Sequence, residues 1–92
     1  MNEDIPHWRN KIDHSLRALW ERTPEPERAN YDVRVLLKFS GSVQRLEKLG
    51  FKAGSVAGDI TYGTIVLGDL PQIASALEVV FIELAQSLLH DP

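Results

Sequence analysis

Between residues 32 and 84 the spacing of apolar and polar positions switches repeatedly between two periods. Val33, Val35, Leu37 and Phe39 alternate with Arg34, Leu36 and Lys38, the period of two of a strand with one core face and one mixed face. Ser40-Gly41-Ser42 then turns the chain, and Ser42 suits a helix N-cap. Val43, Leu46 and Leu49 predict a two-turn helix closed by Gly50 at its C′ position. Residues 51–56 and 60–67 read as a hairpin around Ala57-Gly58-Asp59. Asp69 is the expected cap of a second short helix, with Pro71 in its first turn.

The segment 69–90 admits two readings. Leu70, Ile73, Leu77, Val80, Phe81, Leu84 and Leu88 fit one long amphipathic helix. The run Val79-Val80-Phe81-Ile82 has instead the β-branched and aromatic composition of a strand, and a fourth strand completes the sheet. Helix followed by strand is the preferred reading. The order βαββαβ then predicts an α+β, ferredoxin-like module, with a four-stranded antiparallel sheet and short helices on one face.

Ahead of this unit Ile5, Trp8, Ile12, Leu16, Leu19 and Trp20 fall in one helical stripe roughly 120° wide. Lys11, Asp13, Arg17 and Glu21 lie outside it as a solvated face, while Arg9 lies inside it and must run its stem along the surface. Asp4 as cap and Pro6 in the first turn predict an N-terminal amphipathic helix over 1–22. Its stripe, with both tryptophans, must be buried on the domain or across a dimer. Pro24 and Pro26 predict an extended linker over 23–30, leaving 31–92 as the domain with its tail.

Ninety-two residues, 43% hydrophobic and 25% charged, bound the chain to one ordinary globular domain with a small core. A net charge of −3 argues against a binder that tracks nucleic-acid phosphates. With no cysteine, disulfides, thiolate metal sites and cysteine nucleophiles are excluded. The start Met1-Asn2-Glu3-Asp4 lacks the basic and apolar regions of a signal peptide, and no apolar run reaches spanning length. A cytoplasmic location without membrane contact is the expectation, although a piece of a longer secreted chain would have the same composition.

Candidate chemistry is sparse. His7 and His14 stand two turns apart on the polar side of the first helix, too far for paired ligation, and His90 is alone. Asp59 and Asp69 are explained by turn and cap roles, and Glu25 and Glu27 by a solvated linker. Ser40, Ser42 and Ser55 have no histidine in the pattern to act as base. The glycines are scattered singly rather than forming a phosphate-cradling loop. Tyr62 and Phe81 are candidates for an aromatic stacking platform, but the first strand lacks the aromatic spacing of RNA-recognition modules. No enzyme, metal, cofactor or nucleic acid is expected.

Several features in order resemble the propeptide domain of subtilisin-like serine proteases. They are the strand Val33-Arg34-Val35-Leu36-Leu37-Lys38-Phe39, the helix end Leu46-Glu47-Lys48-Leu49-Gly50 and the hairpin strand Tyr62-Gly63-Thr64-Ile65-Val66-Leu67. The short helix with Ala74 and Ala76 that leads into Val79-Val80-Phe81-Ile82-Glu83-Leu84 completes the set. The resemblance implies a non-catalytic inhibitor or folding chaperone whose open sheet face packs on the protease. The tail would lie in the substrate cleft. On this chain those binding residues would be Leu36, Lys38, Phe81 and Glu83 on the sheet, and Ser87, Leu88, Leu89 and His90 in the tail. The N-terminal helix departs from the family's minimal module, and a tail ending in Asp91-Pro92 is a poor product mimic for a typical subtilisin.

The alternative is an oligomerising or adaptor domain in a larger assembly, without protease inhibition. Its tryptophans would anchor the N-terminal helix on its own sheet or on a second copy in a homodimer. A small-molecule regulatory domain of the same topology fits less well, because such short helices leave little cleft between subunits.

Overall fold

The structure, a computed structural model, describes residues 7–85. Strands β1 (Asp32–Phe39), β2 (Lys52–Ala57), β3 (Ile60–Val66) and β4 (Val79–Leu84) form one sheet in the order β2-β3-β1-β4. Every neighbouring pair is antiparallel. The helices are short: α1 (His14–Arg22), α2 (Glu25–Arg28), α3 (Val43–Glu47) and α4 (Leu70–Ala74), with 3-10 turns at His7–Lys11 and Leu67–Asp69.

The alternation in β1 decides which face is covered. Val33, Val35, Leu37 and Phe39 are buried with Ile65, Val79 and Ile82 of the neighbouring strands. Leu46 of α3, Leu70, Ile73 and Ala74 of α4, and Trp8, Ile12, Leu16 and Leu19 of the N-terminal segment join them in one core. Each fully buried side chain of this size contributes ~1.5–3 kcal/mol of transfer free energy. Helix and strand segments are therefore held on one face of the sheet by a single apolar cluster.

Local signals place the turns. The Ser42 hydroxyl accepts the Gln44 N–H at 3.1 Å and starts α3. Gly50 closes it at φ +112°, with its N–H donating to Glu47 O and the Phe51 N–H to Leu46 O at 3.2 Å. That pair of bonds is a Schellman closure, which needs a left-handed residue at C′. The β2–β3 hairpin turns through Gly58 and Asp59, with Gly58 at φ +66° and Asp59 in ordinary backbone, the glycine-first pattern of a type II′ turn.

From Asp69 to Leu84 the chain is helix then strand. The helix α4 ends at Ala74: the Ser75 N–H still donates to Pro71 O in the α pattern, and the Ala76 N–H tightens the end by donating to Ile73 O. Val79 and Ile82 then pair with Phe39 and Leu37 and bury their side chains. A continuous helix would have left this flank of β1 unpaired. Asp69, expected as the cap of this helix, makes no side-chain cap bond. It lies instead in the preceding 3-10 turn, and its carboxylate faces Gly50, where an added Cβ would approach Asp69 Oδ2 to 2.8 Å.

The N-terminal segment is not one helix. A 3-10 turn and α1 are separated at Ile12 and Asp13, where the chain runs extended (Asp13 φ −78°, ψ 171°). There Ile12 forms a parallel bridge with Ile82, and the Asp13 N–H donates to Ile82 O at 3.0 Å. Asp13, expected on a solvated helix face, caps α1 by accepting the Leu16 N–H at 3.0 Å. The tertiary bridge outweighs the uninterrupted helical period. Lys11, also expected in solvent, donates from Nζ to Ala76 O at 3.0 Å, and Arg17 donates to Arg9 O at 2.9 Å. Asp4 and Pro6 lie outside the described residues.

Trp8 is 6% exposed and meets Trp20 edge-on at 5.1 Å. Both rings are thus engaged within one chain. The expected extended linker is instead the single-turn helix α2, since Pro24 at the cap and Pro26 in the first turn lose no helical hydrogen bond. Its Arg28 guanidinium stacks 3.8 Å from the Trp20 ring centre and its Nε donates to Trp20 O. No helix among the described residues is long and apolar enough to cross a membrane.

Candidate protein-docking face

The even-numbered residues of β1 point away from the core, and the pairing register turns them into rows across the open face. Leu36 lies opposite Tyr62 on β3 and Glu83 on β4, and Tyr62 lies opposite Ser55 on β2. Lys38 lies opposite Ile60 and Phe81, and Ile60 opposite Ala57. Arg34 lies opposite Thr64, which is opposite Lys52, and the Ala85 N–H reaches Arg34 O at 2.9 Å. Directly opposed side chains stand about 5 Å apart, so each row is a contact row.

The centre of this face is apolar and partly uncovered. Tyr62 is 52% exposed, and Leu36, Ile60 and Phe81 are half-buried around it. Arg34, Lys38 and Lys52 stand at the rim with Asp32 and Glu83, one net positive charge on a chain that carries −3. A shallow depression of about 260 Å³ opens beside Tyr62, lined by Arg34, Lys52, Ser55, Thr64 and Ala85 among others. An aromatic and aliphatic centre inside a charged rim is the layout of a protein-binding patch.

Two local devices hold the face in shape. Gly63 leaves room beneath the sheet for Phe51: an added Cβ would meet the ring at 2.5 Å and also collide with Lys52 O. Phe51 is buried there, so this exchange of a side chain for a neighbour's ring fixes β3 over the core. The second device is a bulge at Gly54, between Ala53 opposite Gly63 and Ser55 opposite Tyr62. The buried Thr61 hydroxyl donates to Ser55 O at 2.8 Å and ties the bulged strand to β3.

Of the residues expected to bind, Leu36, Lys38, Phe81 and Glu83 come together as a two-by-two block on adjacent strands. Ser87, Leu88, Leu89 and His90 lie outside the described residues. Ile60 and Lys52 join the face without being expected there, Arg34 is expected on it from the alternation of β1 but not as a binding residue, and Tyr62 is expected from sequence only as a base-stacking ring. Their signal is the phase of the hairpin: in β3 the alternation Ile60, Tyr62, Thr64 shares a face with Leu36 once the register is known. Elsewhere, Leu77 is 94% exposed at the turn after α4, beside a groove of about 480 Å³ between α3 and α4. His14 is exposed, and no group of three or more His, Cys, Asp or Glu side chains gathers among the described residues.

No protein family matches the chain, and neither curated proteins nor solved structures yield a match.

Proposed function

We propose that this chain is a non-catalytic protein-binding module of ferredoxin-like topology that docks a partner on its open sheet face. The topology is supported by the strand order β2-β3-β1-β4 and by the helices that connect β1 to β2 and β3 to β4. The observation that carries the docking role is the uncovered row Tyr62–Leu36–Glu83 with Phe81 and Lys38 beside it. A half-exposed tyrosine among aliphatic side chains supplies contact area at little cost in side-chain entropy. Leu36 and Ile60 at the centre favour a protein over single-stranded RNA, which takes successive stacked aromatics.

The resemblance to subtilisin-like propeptides supplies the partner class, a subtilisin-like protease whose surface helices would cover the patch. Titration of the isotope-labelled chain with such proteases, read through backbone amide shifts, tests this. The expected result is perturbation centred on Leu36, Lys38, Tyr62, Phe81 and Glu83. Perturbation confined to the helical side, or none with any protease, overturns the face assignment or the partner class respectively.

The second reading is an oligomerising adaptor, favoured by the uncovered β2 edge. The tryptophans do not support it, because Trp8 is buried within its own chain and Trp20 is covered by Trp8 and Arg28.

A further inference from the structure

The two edges of the sheet are treated differently. On β4 the N-terminal segment occupies outward backbone groups: Ile82 O accepts the Asp13 N–H, and the Leu84 N–H donates to Asp13 Oδ1 at 3.3 Å. On β2 no such cover exists among the described residues, and every residue but the half-buried Ala53 is exposed. The strand Lys-Ala-Gly-Ser-Val-Ala has no proline and one charge, at its first residue. Proline and several charges, usual protections of an edge, are lacking; the bulge at Gly54 is the one such device present, and it bars regular strands rather than every partner.

The phase of hydrogen bonding identifies which groups of β2 point outward. Leu67 N–H donates to Tyr31 O and Phe39 N–H to Asp59 O, so the odd-numbered residues of β3 face β1. Ile60, Tyr62 and Thr64 therefore face β2 and engage Ala57, Ser55 and Lys52. The backbone N–H and C=O of Ala53 and Val56 are left pointing away from the sheet. Their separation is three residues, not two, because the Gly54 bulge falls between them.

We propose that β2 pairs antiparallel with β2 of a second copy of this chain, about a two-fold axis between Gly54 and Ser55. In that register Ala53 of each copy opposes Val56 of the other, so the three-residue spacing meets an identical three-residue spacing. A regular strand from another protein, with outward groups every second residue, is out of step with it. Charge selects the same arrangement. Lys52 of one copy opposes Ala57 of the other, with that copy's Asp59 two residues further on and within diagonal reach. A parallel arrangement would bring like charges together. The result is an eight-stranded sheet in which the two open faces lie on the same side as one continuous surface. Edge pairing alone buries less than a standard interface, so the dimer is a weak, reversible one.

Sedimentation equilibrium of the full chain from about 5 to 500 µM at physiological salt tests the proposal. The expected result is a reversible monomer–dimer equilibrium. Val56→Pro removes an N–H that β3 does not use, and should abolish the dimer. Lys52→Asp and Asp59→Lys should each weaken it about three- to tenfold, and the double exchange should restore it, independently of whether the proline variant folds. Leu36→Asp, on the open face, should leave self-association unchanged, which separates this proposal from the docking role. A chain monomeric at 500 µM, a failed charge-swap rescue, or loss of the dimer in Leu36→Asp overturns it.

Discussion

One carboxylate oxygen of Asp13 accepts both the Leu16 N–H, at 3.0 Å, and the Leu84 N–H, at 3.3 Å. The first bond starts α1 and the second closes the outer edge of β4, so a single side chain ties the N-terminal segment to the last strand. Asp13→Ala removes this acceptor and both bonds, and should destabilise the fold by about 1–3 kcal/mol. Asp13→Asn keeps an acceptor and should recover most of the loss. Urea unfolding of the two variants checks this, and equal stability of Asp13→Ala and the parent chain contradicts it.

Gly63 and Phe51 share one volume beneath β3. Gly63→Ala should cost about 3 kcal/mol, because the ring and the Lys52 carbonyl must both move. Combined with Phe51→Leu the two losses should be less than additive, since the shorter side chain vacates the space the new methyl needs. A denaturant double-mutant cycle measures the coupling, and strict additivity would contradict the shared-volume account.

Trp8→Ala should lower stability by about 3–5 kcal/mol, the cost of emptying a buried aromatic site. Trp20→Ala should cost less, because that ring is half-buried. Thermal unfolding ranks the two, and sedimentation should show no change in mass attributable to either folded variant. The reverse order of stability would place the wrong tryptophan at the core.

Elements governed by near neighbours along the chain are legible in the amino-acid sequence. The alternation of β1, the Ser42 cap, the Gly50 closure and the Gly58 turn each depend on a few adjacent residues. Periodicity misplaces Asp13 because its second partner, Leu84, is seventy-one residues away, and the Ile12–Ile82 bridge that interrupts the helical period is equally remote. Pro24 and Pro26 suggest helix breakers, whereas their placement at a helix start makes them compatible with α2. Of the site, the outward residues of β1 follow from alternation alone, whereas a register shift between Lys38 and Phe39 breaks the alternation of β4, where Val79 and Ile82 are both buried. Tyr62 and Ile60 need the register of β3, which pattern does not give when Gly63 and the Gly54 bulge interrupt both strands of the hairpin.

Leu36→Asp and Tyr62→Ala change the open face without touching the core. Tyr62→Ala should shift stability by no more than about 1 kcal/mol, and Leu36→Asp by up to about 2 kcal/mol, because the new carboxylate stands opposite Glu83. Unfolding curves within these ranges license their use as binding probes, and a loss above about 3 kcal/mol would mean that the face is structural.

The most direct test of the docking role is inhibition of subtilisin-like proteases by the full chain, compared with Leu36→Asp and Tyr62→Ala. Inhibition is expected at micromolar concentration, with each variant weaker by at least about tenfold, the value of one central contact of about 1.4 kcal/mol. Every protease remaining fully active at about 100 µM of the chain, or variants that inhibit as well as the parent, would contradict it.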